Sequence, residues 1–143
     1  MKKLLLTLLV ALSFLSCSKE KTTGPKQPHF DRDMCERCKM VVSDRHHTVQ
    51  TIDPKTKKVY FFDDLGCMVL WFEENKKEWK NKAPIWITDA KTGEWIDARK
   101  AYYDSGNITP MAFGFMAHKR KEDIDPKKKI YTYEEVRKEI LSH

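Results

Sequence analysis

Apolar residues follow three patterns along this chain. The first is a continuous run from Leu4 to Leu15, broken only by Thr7 and Ser13. The second consists of short β-branched and aromatic stretches flanked by turn formers. His47 to Ile52 is one such stretch and Val59 to Phe62 another, and Asp53-Pro54-Lys55-Thr56-Lys57 between them predicts a hairpin. The third has helical spacing. Leu65, Met68, Val69, Phe72 and Trp79 fall roughly along one face, which predicts a helix capped by Asp63 or Asp64 and running to about Glu78.

The same plan then recurs. Ile85 to Asp89 reads as a strand, Ala90-Lys91-Thr92-Gly93 as a turn, and Glu94 to Arg99 as a returning strand that continues to Tyr103. A further strand is expected at Ala112 to Ala117. A last helix opens on the capping box Thr132-x-x-Glu135 and runs to about Leu141, with Val136 and Ile140 inward. This order predicts an α+β fold of two related ββα-type units with a mostly antiparallel sheet. The turns Asp53-Pro54-Lys55-Thr56 and Asp89-Ala90-Lys91-Thr92 echo each other and suggest an internal repeat.

The first pattern has a different meaning. After Met1-Lys2-Lys3, the apolar run is too short for a comfortable membrane span and reads as an export leader. It ends at Ser16-Cys17, which resembles the lipobox of bacterial lipoproteins. The expected division is a signal peptide at 1–16, a lipidated Cys17 with a flexible tether at 17–30, and a folded domain at 31–143. That places the domain in the cell envelope, lipid-anchored to a membrane and facing the periplasm or the exterior. The formal net charge is +6, with basic clusters at Lys119-Arg120-Lys121 and Lys127-Lys128-Lys129. In an exported chain these read as a solvated face or a contact with anionic headgroups, and no nucleic-acid partner is expected.

With Cys17 assigned to lipid, Cys35, Cys38 and Cys67 remain, an odd set that closes no disulfide framework. Thiols kept in an oxidising compartment need a reason. Met34-Cys35-Glu36-Arg37-Cys38-Lys39-Met40 supplies one, because two thiols with flanking thioethers are soft donors that favour Cu(I). A zinc site would want a second Cys or His pair, for which His46, His47 and Cys67 are poor substitutes. A redox dithiol of thioredoxin type, with Thr109-Pro110 facing it, and a structural disulfide are the other readings of C-x-x-C. Against the redox reading, Lys39 to Asp44 looks like a short strand or loop rather than a helix start. A second cluster, Thr109 to His118, offers Met111 behind a proline. Met116 alternates with Phe113 and Phe115 and reads first as core. His47 and Met116 are further ligand candidates, whereas Cys67 reads as a small buried hydrophobe. No nucleophile triad, phosphate loop or paired-carboxylate signature is present, so no enzyme is expected.

These residues together resemble the NosL family of copper-binding lipoproteins. The resemblance rests on Cys35 with Cys38-Lys39-Met40, on Phe61-Phe62-Asp63-Asp64 after the hairpin, on Thr92 to Tyr103, and on Pro110-Met111-Ala112-Phe113-Gly114. It implies a lipid-anchored metallochaperone of two ββα-type units that binds one Cu(I) for delivery to nitrous oxide reductase. It also implies Cys38, Met40 and Met111 as ligands, with Cys35 next. Ala112, where a glycine is expected, and the basic tail beyond Lys119 depart from the pattern and leave the recipient open to another exported copper enzyme. The rival function is an anchored thiol–disulfide oxidoreductase in which Cys35 attacks and Cys38 resolves.

Overall fold

The computed structural model describes residues 24–143; the expected signal peptide, Cys17 and the start of the expected tether lie outside the described residues. Strands β1 (Val49–Ile52) and β2 (Val59–Phe62) form the first hairpin, with Val49 opposite Phe62 and Ile52 opposite Val59. Strand β3 (Ile85–Thr88) pairs with the other side of β1, and β4 (Trp95–Asp97) pairs with β3. The result is one antiparallel sheet in the order β2-β1-β3-β4, so both hairpins share a single core layer. Strands β5 (Tyr102–Asp104) and β6 (Met116–His118) form a separate two-stranded sheet.

Helix α1 (Leu65–Glu74) contacts β1 and β2 as well as helix α2 (Tyr133–Leu141). Leu65, Cys67, Met68, Val69, Trp71 and Phe72 are all buried, so burial extends well beyond a single stripe. Tyr60, Phe62, Trp71, Phe72 and Trp79 form an aromatic cluster with ring centroids 4.7 to 6.2 Å apart. That spacing suits tilted and edge-on ring contacts. Glu73 at the end of α1 accepts from Lys80 Nζ at 2.7 Å and from Arg137 Nη2 of α2 at 3.0 Å, tying the helices together. The expected capping box is present: Thr132 N–H donates to Glu135 Oε2 at 2.7 Å and Glu135 N–H donates to Thr132 Oγ1 at 3.3 Å.

The two echoing turns have the same hydrogen-bond pattern. Asp53 Oδ1 accepts from the N–H groups of Lys55 and Thr56, and Asp89 Oδ1 accepts from those of Lys91 and Thr92. Four residues after each aspartate the chain enters the left-handed region, at Lys57 (φ 63°) and Gly93 (φ 73°). The shared motif is an Asx turn closed by a left-handed residue.

Three boundaries differ from expectation. Helix α1 ends at Glu74 rather than near Glu78, because Asn75 Nδ2 donates to Trp71 O and Lys76 turns left-handed (φ 47°). The strand expected to run unbroken to Tyr103 stops at Asp97. There the carbonyl of Asp97 accepts from Lys100 and Ala101 and its side chain from Arg99 N–H, turning the chain into the second sheet. The strand expected at 112–117 is confined to Met116–His118, since Ala112 (φ 60°) and Gly114 (φ 81°) hold the preceding segment in a loop. Contacts of the folded domain begin at Lys26, whose N–H and C=O both bond the buried Gln50 side chain at 2.8 Å. No helix among the described residues is long and apolar enough to cross a membrane.

Gly66 in the first turn of α1 lies directly against the Phe113 ring, and a Cβ at this position would overlap that ring. Gly66→Ala is therefore expected to destabilise the domain by about 1–3 kcal/mol, as overpacking does. Thermal unfolding of the pure variant should show the lowered midpoint.

Candidate metal centre

The segment from Asp31 to Val42 doubles back on itself. Asp31 N–H donates to Val42 O, Val42 N–H donates to Asp33 O, and Met34 forms an isolated bridge with Val41. At its tip, Cys35 N–H donates to Met40 O at 2.8 Å and Lys39 N–H donates to Cys35 O at 3.0 Å. Lys39 takes a left-handed φ of 61° to close this turn. One further bond, from Glu36 N–H to Phe61 O at 2.8 Å, seats the turn on β2. The C-x-x-C therefore sits in a tight turn on a sheet edge.

From β2 the chain passes through Asp63 and Asp64 into α1. Asp64 is the N-cap, its Oδ1 accepting from Gly66 N–H at 3.2 Å. Its Oδ2 accepts from Thr109 Oγ1 at 2.7 Å and from Met111 N–H at 3.0 Å. Burial raises the Asp64 pKa, against the pull of these three hydrogen bonds. Asp63 turns the other way, with its two carboxylate oxygens 3.4 and 3.5 Å from Cys38 Sγ. Cys67 follows in the first turn of α1.

This path brings Cys35, Cys38, Asp63 and Cys67 together, each offering a ligand atom, all within 4.8 Å of one another. The three thiols are free; Cys35 and Cys67 are fully buried and Cys38 is half-buried. Their acidities diverge. A hydrogen bond from Cys67 holds the Cys35 thiol down at about 6, more than offsetting burial. That donated bond and burial raise Cys67, outweighing the favourable dipole at a helix N-terminus. Burial, the Cys35 thiolate and Asp63 push Cys38 up to about 11.

The cluster unites Cys35 with Cys38 and adds Cys67, which is buried in the core as a small side chain and also lies within reach of the other two thiols. It also includes Asp63, which sequence reasoning treated only as a possible helix cap. Met40 is exposed at the edge of the turn, and Met111 is half-buried in the loop fixed by Asp64. Met116 lies on β6 opposite Asp104. His47 is buried outside the cluster, with Nδ1 2.9 Å from Asp44 Oδ2 but off hydrogen-bonding line. Thr109-Pro110 serves the Asp64 contact. The residue at the helix N-terminus is Cys67, not Cys35, so the thioredoxin arrangement of a C-x-x-C entering a helix is absent here. A surface cavity of about 470 Å³ lined by Phe113, Phe115, Tyr131 and Ile140 includes none of the cysteines.

An antiparallel sheet and two helices with soft donors gathered where a sheet edge meets a helix N-terminus define an α+β protein with a thiol-rich cluster able to hold a metal ion. The chain belongs to the NosL family, whose sequence model matches residues 27–139. It is similar in fold to the crystal structure of the copper chaperone NosL from Shewanella denitrificans, at a TM-score of 0.65 and 15% identity. That likeness covers 78% of this chain and 94% of the other. The chain has no match among curated proteins.

Asp63→Asn removes a negative charge beside Cys38 and so favours its thiolate. Alkylation of Cys38 in the folded, metal-free protein at pH 8 should then run several-fold faster than in the wild type. Mass spectrometry of the timed reaction would measure it, and an unchanged rate would contradict the role given to Asp63.

Proposed function

We propose that this chain is a membrane-anchored carrier that binds Cu(I) and passes it to an exported copper enzyme. The observation that carries this reading is the gathering of Cys35, Cys38 and Cys67 within 4.8 Å of one another, at a turn whose neighbours Met34 and Met40 are about half exposed. Thiolates and thioethers select a soft monovalent ion over the hard cations that oxygen ligands hold. Cu(I) has a filled d shell and tolerates low coordination, so it can move between proteins through mixed-ligand intermediates. Cys35 and Cys38 would hold the ion. Met40 and Met111 would offer it thioethers on its way out. Family membership, and a similar solved structure that is a copper chaperone, support copper as the cargo.

The anchor is Cys17. Lipidation there, in the cell envelope and facing the periplasm or exterior, would hold the carrier near a membrane-associated recipient and raise its effective concentration. By family resemblance the recipient is nitrous oxide reductase. A carrier needs neither turnover nor a general base, so we assign no enzymatic activity. The oxidoreductase alternative fits less well. Its attacking thiol, Cys35, is fully buried, while the more accessible Cys38 has the raised pKa.

Titration of the reduced protein with Cu(I) against a chromophoric chelator should give tight one-to-one binding. Cys35→Ser/Cys38→Ser should abolish it. Met40→Leu/Met111→Leu should retain the ion but slow its transfer to an added chelator several-fold, read by stopped-flow absorbance. A wild type that never competes with the chelator would rule the carrier out.

A further inference from the structure

The helix contribution to the site extends beyond what the C-x-x-C turn predicts. Cys67 and Glu74 are seven residues apart on α1, two turns along the same face. Glu74 grips Arg37 with three hydrogen bonds, from Nε at 3.0 and 3.1 Å and from Nη2 at 2.7 Å. Arg37 is the residue between the two cysteines of the turn that faces back along the helix. Its pKa is raised, chiefly by Glu74 and to a smaller extent by Cys67. The guanidinium of this turn residue is thus tied to α1, the helix that carries Cys67.

Building on the Cu(I)-carrier reading, we propose that Cys67 is the third thiolate of a trigonal Cu(I) site formed with Cys35 and Cys38, and that Arg37 is the fixed counter-charge of that site. Three sulfurs within 4.8 Å of one another match the separation a single three-coordinate soft ion requires. Two of the three are fully buried. A buried ligand set of three thiolates and one monovalent cation is left with net negative charge, and buried charge is costly unless compensated. Arg37 supplies a permanent positive charge, and the N-terminus of α1, where Cys67 sits, adds a favourable dipole. As the ion enters, the protons of the protonated thiols leave to solvent and no electron is transferred. The bond that the Cys38 thiol donates to Asp63 in the metal-free site is lost with its proton, and Asp63 stays outside the ligand set, since a carboxylate is a poor partner for a soft ion beside three thiolates.

This assigns distinct roles around the ion. Cys35 and Cys67 retain it. Cys38, the one accessible thiolate, is the ligand exchanged at handover, with the exposed methionines outside it. Arg37 is a positioning residue that acts through charge and not through a bond to the metal.

X-ray absorption on the full-length Cu(I)-loaded protein should show three sulfur ligands. The count should remain three in Met40→Leu/Met111→Leu and fall to two in Cys67→Ser, with Cu(I) affinity by chelator competition lowered at least about tenfold. Arg37→Met should keep three sulfurs and lose about tenfold in affinity, measured the same way. Three sulfurs in Cys67→Ser, or a drop to two in the methionine double variant, would overturn Cys67 as a ligand while leaving the carrier intact. The methionine variant keeps that test decisive even if Cys67→Ser fails to fold. Unchanged affinity in Arg37→Met would overturn the counter-charge. A wild type that binds no Cu(I) would instead overturn the carrier reading and this site together.

Discussion

The buried carboxylate of Asp64 joins the parts of this site. One oxygen caps α1 through Gly66, and the other holds the Thr109 hydroxyl and the Met111 amide. Helix start and methionine loop therefore share a single side chain, although the loop lies some forty-five residues further along. Among the described residues no cation hydrogen-bonds this carboxylate, and neutral donors offset the cost of burying it. Removing it would leave three donors, one at the helix end and two in the loop, unsatisfied at once. Asp63, its neighbour, points the opposite way to Cys38, so this one dipeptide orients the thiol cluster on one side and the thioether loop on the other.

What could be read from the sequence was local. The β1–β2 hairpin, the Asx turns and the capping box of α2 are each set by residues within about six positions, and each is present. The loop at 109–115 depended on side chains from elsewhere, including Asp64 reaching Thr109 and Phe113 lying on Gly66. Periodicity cannot supply that information, because it describes only an element's own faces.

The site followed the same division. Cys35 and Cys38 announce themselves by spacing, and the turn that closes over them is local. Cys67 sits inside a helix whose other residues are almost all apolar, where a small thiol looks like packing. Two signals could have singled it out. The thiol count was odd, and Cys67 follows Asp63-Asp64 at the first turn of a helix, where an exposed C-x-x-C could dock. Arg37 gave no sign at all, since its partner Glu74 is thirty-seven residues away.

The C-x-x-C turn is also the cover of a sheet edge. Strand β2, Val59-Tyr60-Phe61-Phe62, is an outer strand of the four-stranded sheet, and Glu36 N–H occupies the outward carbonyl of Phe61. An apolar outer strand with free carbonyls invites a strand from another chain. Whatever pulls the cysteines away from Phe61, such as a misplaced disulfide or a distorting ion, would open that edge. Covering the sheet edge and keeping the thiols together are thus tasks of the same short turn, and a lesion in one would be felt as a failure of the other.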